Sequence, residues 1–111
     1  MNLKIVIFLF ITVLLSSCDY NKSDVLPDCA TVPARYSADV LPLIQSKCAT
    51  ACHNTLSTNA GGPLTNYTQI KAKASLIKFM VETRQMPQVG SLTDAEIKVI
   101  SCWVEAGAEN N

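Results

Sequence analysis

Six residues, Cys48-Ala49-Thr50-Ala51-Cys52-His53, place two thiols beside the only imidazole of the chain. Thiols can pair as a disulfide, bind a metal or act as nucleophiles, and an imidazole is the commonest metal ligand. Three bland readings follow. Cys48 and Cys52 can form a local disulfide with His53 as a bystander. They can serve as a redox dithiol, although such sites favour two intervening residues and a βαβ setting, and this sequence has neither. Together with Cys29 they make a legal zinc set of Cys29, Cys48, Cys52 and His53. Cys29, however, lies 19 residues before Cys48 and has no partner in a close pair.

The order thiol, thiol, imidazole also matches the covalent c-type haem attachment signature, Cys-x-x-Cys-His. There each thiol adds across one haem vinyl group, and the adjacent His reaches the iron. Small intervening residues let the backbone pass close to the porphyrin edge. This chain has three residues between the cysteines instead of two, so one residue has to bulge. A low-spin electron-transfer haem takes Met or a second His as its sixth ligand. No second His exists, and Met1 lies in the N-terminal leader described below. Met80 falls on the apolar side of a predicted helix and is expected in the core. Met86 sits in a loop before Pro87, so it is the expected distal ligand.

The elements that must position these groups are helical. No alternating strand pattern and no internal repeat is visible. A first helix is expected over 37–47, with Ser37 as N-cap. Val40, Leu41 and Ile44 give it one apolar stripe, Leu43 adds bulk, and Pro42 is expected to bend it. A second is predicted over 67–82, where Ile70, Ala74, Ile77 and Val81 recur at helical spacing. The third begins at a capping box, Thr93-Asp94-Ala95-Glu96. Ile97, Ile100 and Val104 follow on one face, with Val99 and Trp103 beside it and Gly107 as the stop. The loops 54–66 and 84–91 lie between. The class is all-α, with functional loops between helices.

The chain of 111 residues is one small domain at most. Nine basic residues balance nine acidic ones, which excludes the basic stripe a nucleic-acid binder needs. Residues 3–15, with Lys4 ahead of an apolar run, read as a signal peptide too short to span a bilayer. Leu15-Ser16-Ser17-Cys18 resembles a bacterial lipobox. That resemblance implies cleavage before Cys18, a lipid on its thiol and a lipid-anchored location in the cell envelope, facing the periplasm or the exterior. The expected organisation is a signal peptide over 1–17, a lipidated N-terminus and tether over 18–34 and a folded domain over 35–111. Such a short folded part needs a disulfide, metal or cofactor to hold it.

The stretches 36–53 (YSADVLPLIQSKCATACH) and 84–108 (RQMPQVGSLTDAEIKVISCWVEAGA) resemble the small class I c-type cytochromes, most of all the lipoprotein cytochromes of bacterial cell envelopes. The resemblance covers about 70 residues. It implies three main helices around one haem c, attached through Cys48 and Cys52. His53 would be the proximal iron ligand, Met86 the distal one and Trp103 a packing aromatic between the first and last helices. Leu64 and Tyr67 are expected to line the haem pocket. Cys29 and Cys102 remain as a pair by count. A bridge between them becomes possible if the first and last helices cross, and sequence alone leaves them equally open to being two separate thiols.

Lys47, Lys71, Lys73, Lys78 and Arg84 are either a solvated face or a ring around a haem edge that steers an acidic partner. The implied function is single-electron transfer to redox proteins of the envelope by a membrane-tethered monomer, without catalysis. Two other functions stay open. One is a haem sensor or peroxidase-like domain with an open sixth site. The other is a non-haem lipoprotein, disulfide-stapled or zinc-binding.

Overall fold

The computed structural model describes residues 28–111. The leader, the lipobox and most of the tether lie outside the described residues. Among the described residues the fold is helical and contains no strand, in agreement with the all-α expectation. No described helix is long and apolar enough to cross a membrane.

The first helix, α1, covers residues 36–49 and changes pitch twice. Tyr36–Val40 and Gln45–Ala49 close i→i−5 hydrogen bonds, and Leu41–Ile44 between them is α-helical. Pro42 explains the first widened turn. A proline ring clashes with the carbonyl four residues earlier and brings no N–H. It is accommodated where the preceding turn is already opened, at the start of the α-helical stretch. Ser37 is not the N-cap, contrary to expectation. The helix starts after Arg35, whose N–H donates to the Asp39 carboxylate at 2.9 Å. Two N–H groups of its first turn are taken by Asn111: Tyr36 N–H donates to Asn111 Oδ1 at 2.7 Å and Ser37 N–H to Asn111 O at 2.9 Å. Ser37 was the obvious cap by type, but a residue 74 positions away supplies the acceptor.

The predicted helix over 67–82 is two helices, α2 (Tyr67–Ala72) and α3 (Ala74–Glu82). Lys73 separates them with φ −117° and ψ 11°. Asn66 caps α2 through its side chain. The apolar repeat spans the break: Ile70, Ala74, Ile77 and Val81 are all buried.

The last helix, α4 (Asp94–Glu105), starts at the expected capping box, with both reciprocal hydrogen bonds formed. It stops at Gly107, which has φ +100°. Gly107 N–H donates to Val104 O and Ala108 N–H to Trp103 O, the paired closure that a left-handed residue makes at a helix end.

The core lies where all four helices meet. Val40, Ile44, Ile70, Ile100 and Trp103 are fully or almost fully buried in it. Trp103 packs on Tyr36 with ring centroids 5.7 Å apart, and its Nε1–H donates to Glu109 O at 2.9 Å. A disulfide joins Cys29 to Cys102, with Cα atoms 5.4 Å apart. Residues 28–34, assigned by sequence to the tether, are thus fastened to α4. Closing a loop across 73 residues contributes ~4.5 kcal/mol in the chain-entropy picture.

Candidate functional site

α1 runs out into the thiol–imidazole motif, and the chain then loops over 53–64. The loop is tied at its base by Leu64 N–H donating to His53 O at 2.8 Å. The Cys52 carbonyl anchors its crest, accepting from Ser57 Oγ and Asn59 Nδ2. Two glycines carry the turn, Gly61 at φ +95° and Gly62 at φ +63°. Side chains rarely adopt that region, and Gly61 passes in ordinary van der Waals range of the His53 ring.

The turn brings the Gly62 carbonyl to 2.7 Å from His53 Nδ1. A carbonyl can only accept, so Nδ1 carries the proton. Nε2 is left with its lone pair, the tautomer of an imidazole that ligates a metal.

A cleft of about 400 Å³ opens beside this loop, a size typical of cofactor sites. It is lined by Cys48, Cys52, His53 and Leu64, by Leu76, Ile77, Met80 and Val81 of α3, and by Met86-Pro87 and Val89. Among the described residues, Lys47 and Lys73 are the charged side chains that line it, and no carboxylate does. Cys48 and Cys52 are free thiols, so they are not paired with each other. Cys48 is half-buried against the core, and that burial, with the Cys52 sulfur beside it, pushes its thiol up to about 11. It is a protonated thiol at neutral pH, unlike an activated redox cysteine.

The Met86 loop is held from behind. Gln85 and Met86 N–H groups both donate to Met80 O, at 2.9 and 3.1 Å. Arg84 takes a left-handed conformation, φ 56°, at the end of α3. Its guanidinium reaches Leu92 O at 3.2 Å and the Asp94 carboxylate. Arg84 thus clamps the loop to the start of α4, and it does not line the cleft.

Most of the expected site residues share this cleft: Cys48, Cys52, His53, Leu64 and Met86. Tyr67 does not. Its ring stands edge-on to Tyr36, 5.0 Å between centroids, and its hydroxyl donates to Ala108 O. Met80, assigned to the core, lines the cleft instead, because α3 turns that edge of its apolar face outward. Of the five basic residues, only Lys47 and Lys73 border the cleft. Lys71 binds Gly107 O, and Lys78 pairs with Glu82 and Glu105. The zinc set does not assemble, since Cys29 is committed to Cys102. Among the described residues no three His, Cys, Asp or Glu side chains converge as a metal site.

Sequence reasoning missed Gly62 as the partner of His53, and it missed Leu76 and Val89. Gly61-Gly62-Pro63 was a visible turn signal, but nothing local said which carbonyl would meet the imidazole. Compared with protein-family models, curated proteins and solved structures, the chain matches none.

Proposed function

We propose that the protein is a lipid-anchored c-type cytochrome carrying one haem, with a class I cytochrome c-like arrangement, that moves single electrons in the bacterial cell envelope. One observation carries this reading. Two free thiols, a tautomerically fixed imidazole and the Met86 thioether line a single cleft, although 33 residues separate His53 from Met86.

The cleft's volume of about 400 Å³ and its mostly apolar lining support a flat macrocycle with a metal at its centre. Cys48 and Cys52 border it where covalent attachment would occur. His53 Nε2 has a free lone pair because Gly62 holds the Nδ1 proton. Met86 brings a soft thioether on a loop that Arg84 and the Met80 carbonyl keep in place. Leu64, Ile77 and Val81 exclude water, which keeps the local dielectric low. Haem, when bound, supplies the one-electron couple of its iron. His/Met ligation would raise its potential relative to a bis-His site. With His53 and Met86 both serving as iron ligands, no position would remain for a substrate, which supports reading the protein as a carrier. Its partners would be redox proteins of the envelope, and its membrane contact the lipid on Cys18.

The test is the pyridine haemochrome spectrum and intact mass of the full chain matured in a host with c-type haem assembly. The expected result is a c-type band and one covalent haem per chain. A haem-free mass under those conditions would refute the cytochrome reading. High-spin iron in the untreated protein would favour a sensor or peroxidase-like site instead.

A further inference from the structure

Cys48 and Cys52 stand one residue further apart than the two cysteines of the attachment signature. On a regular α-helix this insertion would swing His53 away from Cys48, because residue i+4, not i+5, returns above residue i. The backbone here departs from that geometry at the motif. Thr50 N–H donates to Gln45 O at 3.1 Å, an i→i−5 bond, and Thr50 Oγ1 donates to the same oxygen at 2.7 Å. His53 N–H donates to Cys48 O at 2.9 Å, closing a second i→i−5 turn across the motif itself. The ordinary i→i−4 contact, from Cys52 N–H to that oxygen, is the longer one at 3.2 Å. In a turn closed this way residue i+5 returns above residue i. His53 therefore keeps the relation to Cys48 that the shorter motif gives it, and Cys52 keeps its place next to His53. All three side chains border the same cleft.

We propose that this widened turn absorbs the extra residue, so that both Cys48 and Cys52 form thioethers to haem, with Thr50 as the positioning residue. The inference rests on the haem reading above. Each S–H adds across one vinyl C=C. A sulfur–carbon bond forms at the carbon next to the ring, the vinyl π bond is consumed, and the thiol hydrogen ends on the terminal carbon. No electron enters or leaves, so no oxidant is required.

The experiment uses the full chain matured with c-type haem assembly and reads two signals. One is the haemochrome band, which differs between two thioethers and one. The other is the mass after alkylation, which counts free thiols at positions 48 and 52. The native chain should show the two-thioether band and no alkylated cysteine. Deleting Ala51 should leave both signals unchanged, because an α-turn then suffices. Inserting one alanine after Ala51 exceeds what a single widened turn can absorb and should cost one thioether. Thr50→Val should yield a mixture containing single-thioether product, and Thr50→Ser, which keeps the hydroxyl, should not. One thioether in the native chain overturns the inference and leaves the haem reading standing. Two thioethers in the insertion variant overturn it as well. A native chain without haem ends the haem reading, and this inference with it.

Discussion

Replacing Cys29 and Cys102 together by alanine should cost a large part of the domain's stability. The bridge spans 73 residues, and releasing that loop frees ~4.5 kcal/mol of denatured-state entropy. Cys102 is 2% exposed, so lost sulfur packing adds on the order of 1 kcal/mol. Domains of this size hold roughly 5–15 kcal/mol in all. With a guanidinium slope of ~2 kcal/mol per molar, the midpoint should fall by about 2–3 M. The assay is equilibrium unfolding followed by far-UV circular dichroism, with native and variant chains prepared identically. Dithiothreitol treatment of the native chain should reproduce the entropic part of the loss. A midpoint shift below about 0.5 M would refute the claim that this bridge carries the loop.

On the proposed haem reading, Met86→Leu should convert the haem-loaded protein to a high-spin spectrum, while Met80→Leu leaves the spectrum unchanged. The opposite result would assign the ligand to Met80, which borders the same cleft. Hydrogen bonding from the Thr93 backbone N–H, with help from Lys47, holds the Glu96 carboxyl below its usual range. A carboxylate with a depressed folded pKa stabilises above its unfolded pKa, and that stability is lost as pH falls through the folded value. Glu96→Gln should therefore flatten the loss of stability below about pH 4.5, measured as melting temperature against pH; an unchanged slope would count against the capping box as an acid-sensitive element. In the haem-free chain, iodoacetamide at pH 8 should label exposed Cys52 first. Cys48, with its thiol pushed up to about 11, has only roughly a thousandth of its population as thiolate at that pH. Equal labelling rates by mass spectrometry would contradict its burial.

What could be read in the sequence was governed by local rules. The Thr93–Glu96 box and the Gly107 stop depend on residues within one turn of each other, and both appear as expected. The apolar repeat from Ile70 to Val81 also holds in burial. It could not show the break at Lys73, because burying one stripe is compatible with one helix or two. The cap of α1 escaped the sequence because Asn111 meets it only after α1 and α4 have packed. Tyr67 was assigned by type to the cleft, yet a tyrosine needs somewhere for its hydroxyl, and Ala108 O offered it. Arg84 resembled a surface charge, but a left-handed residue at a helix end with a long reach became a clamp. His53 and Met86 were legible because the chain has one His and three Met, and the thiols because they stand directly beside that His. Their meeting in one cleft depends on tertiary packing that no local rule encodes.

The fastening of Cys29 to α4 sets a mechanical route through the molecule. A pull on the chain ahead of Asp28 meets the disulfide before it reaches Tyr36. The force passes sideways into Cys102 in the last turn of α4, a helix locked at both ends by its box and its glycine closure. α1 is bypassed, and with it the widened turn, His53 and the loop that holds its tautomer. A pull from the N-terminal side would thus be borne first by a covalent bond and by α4, ahead of α1 and the cleft beside it.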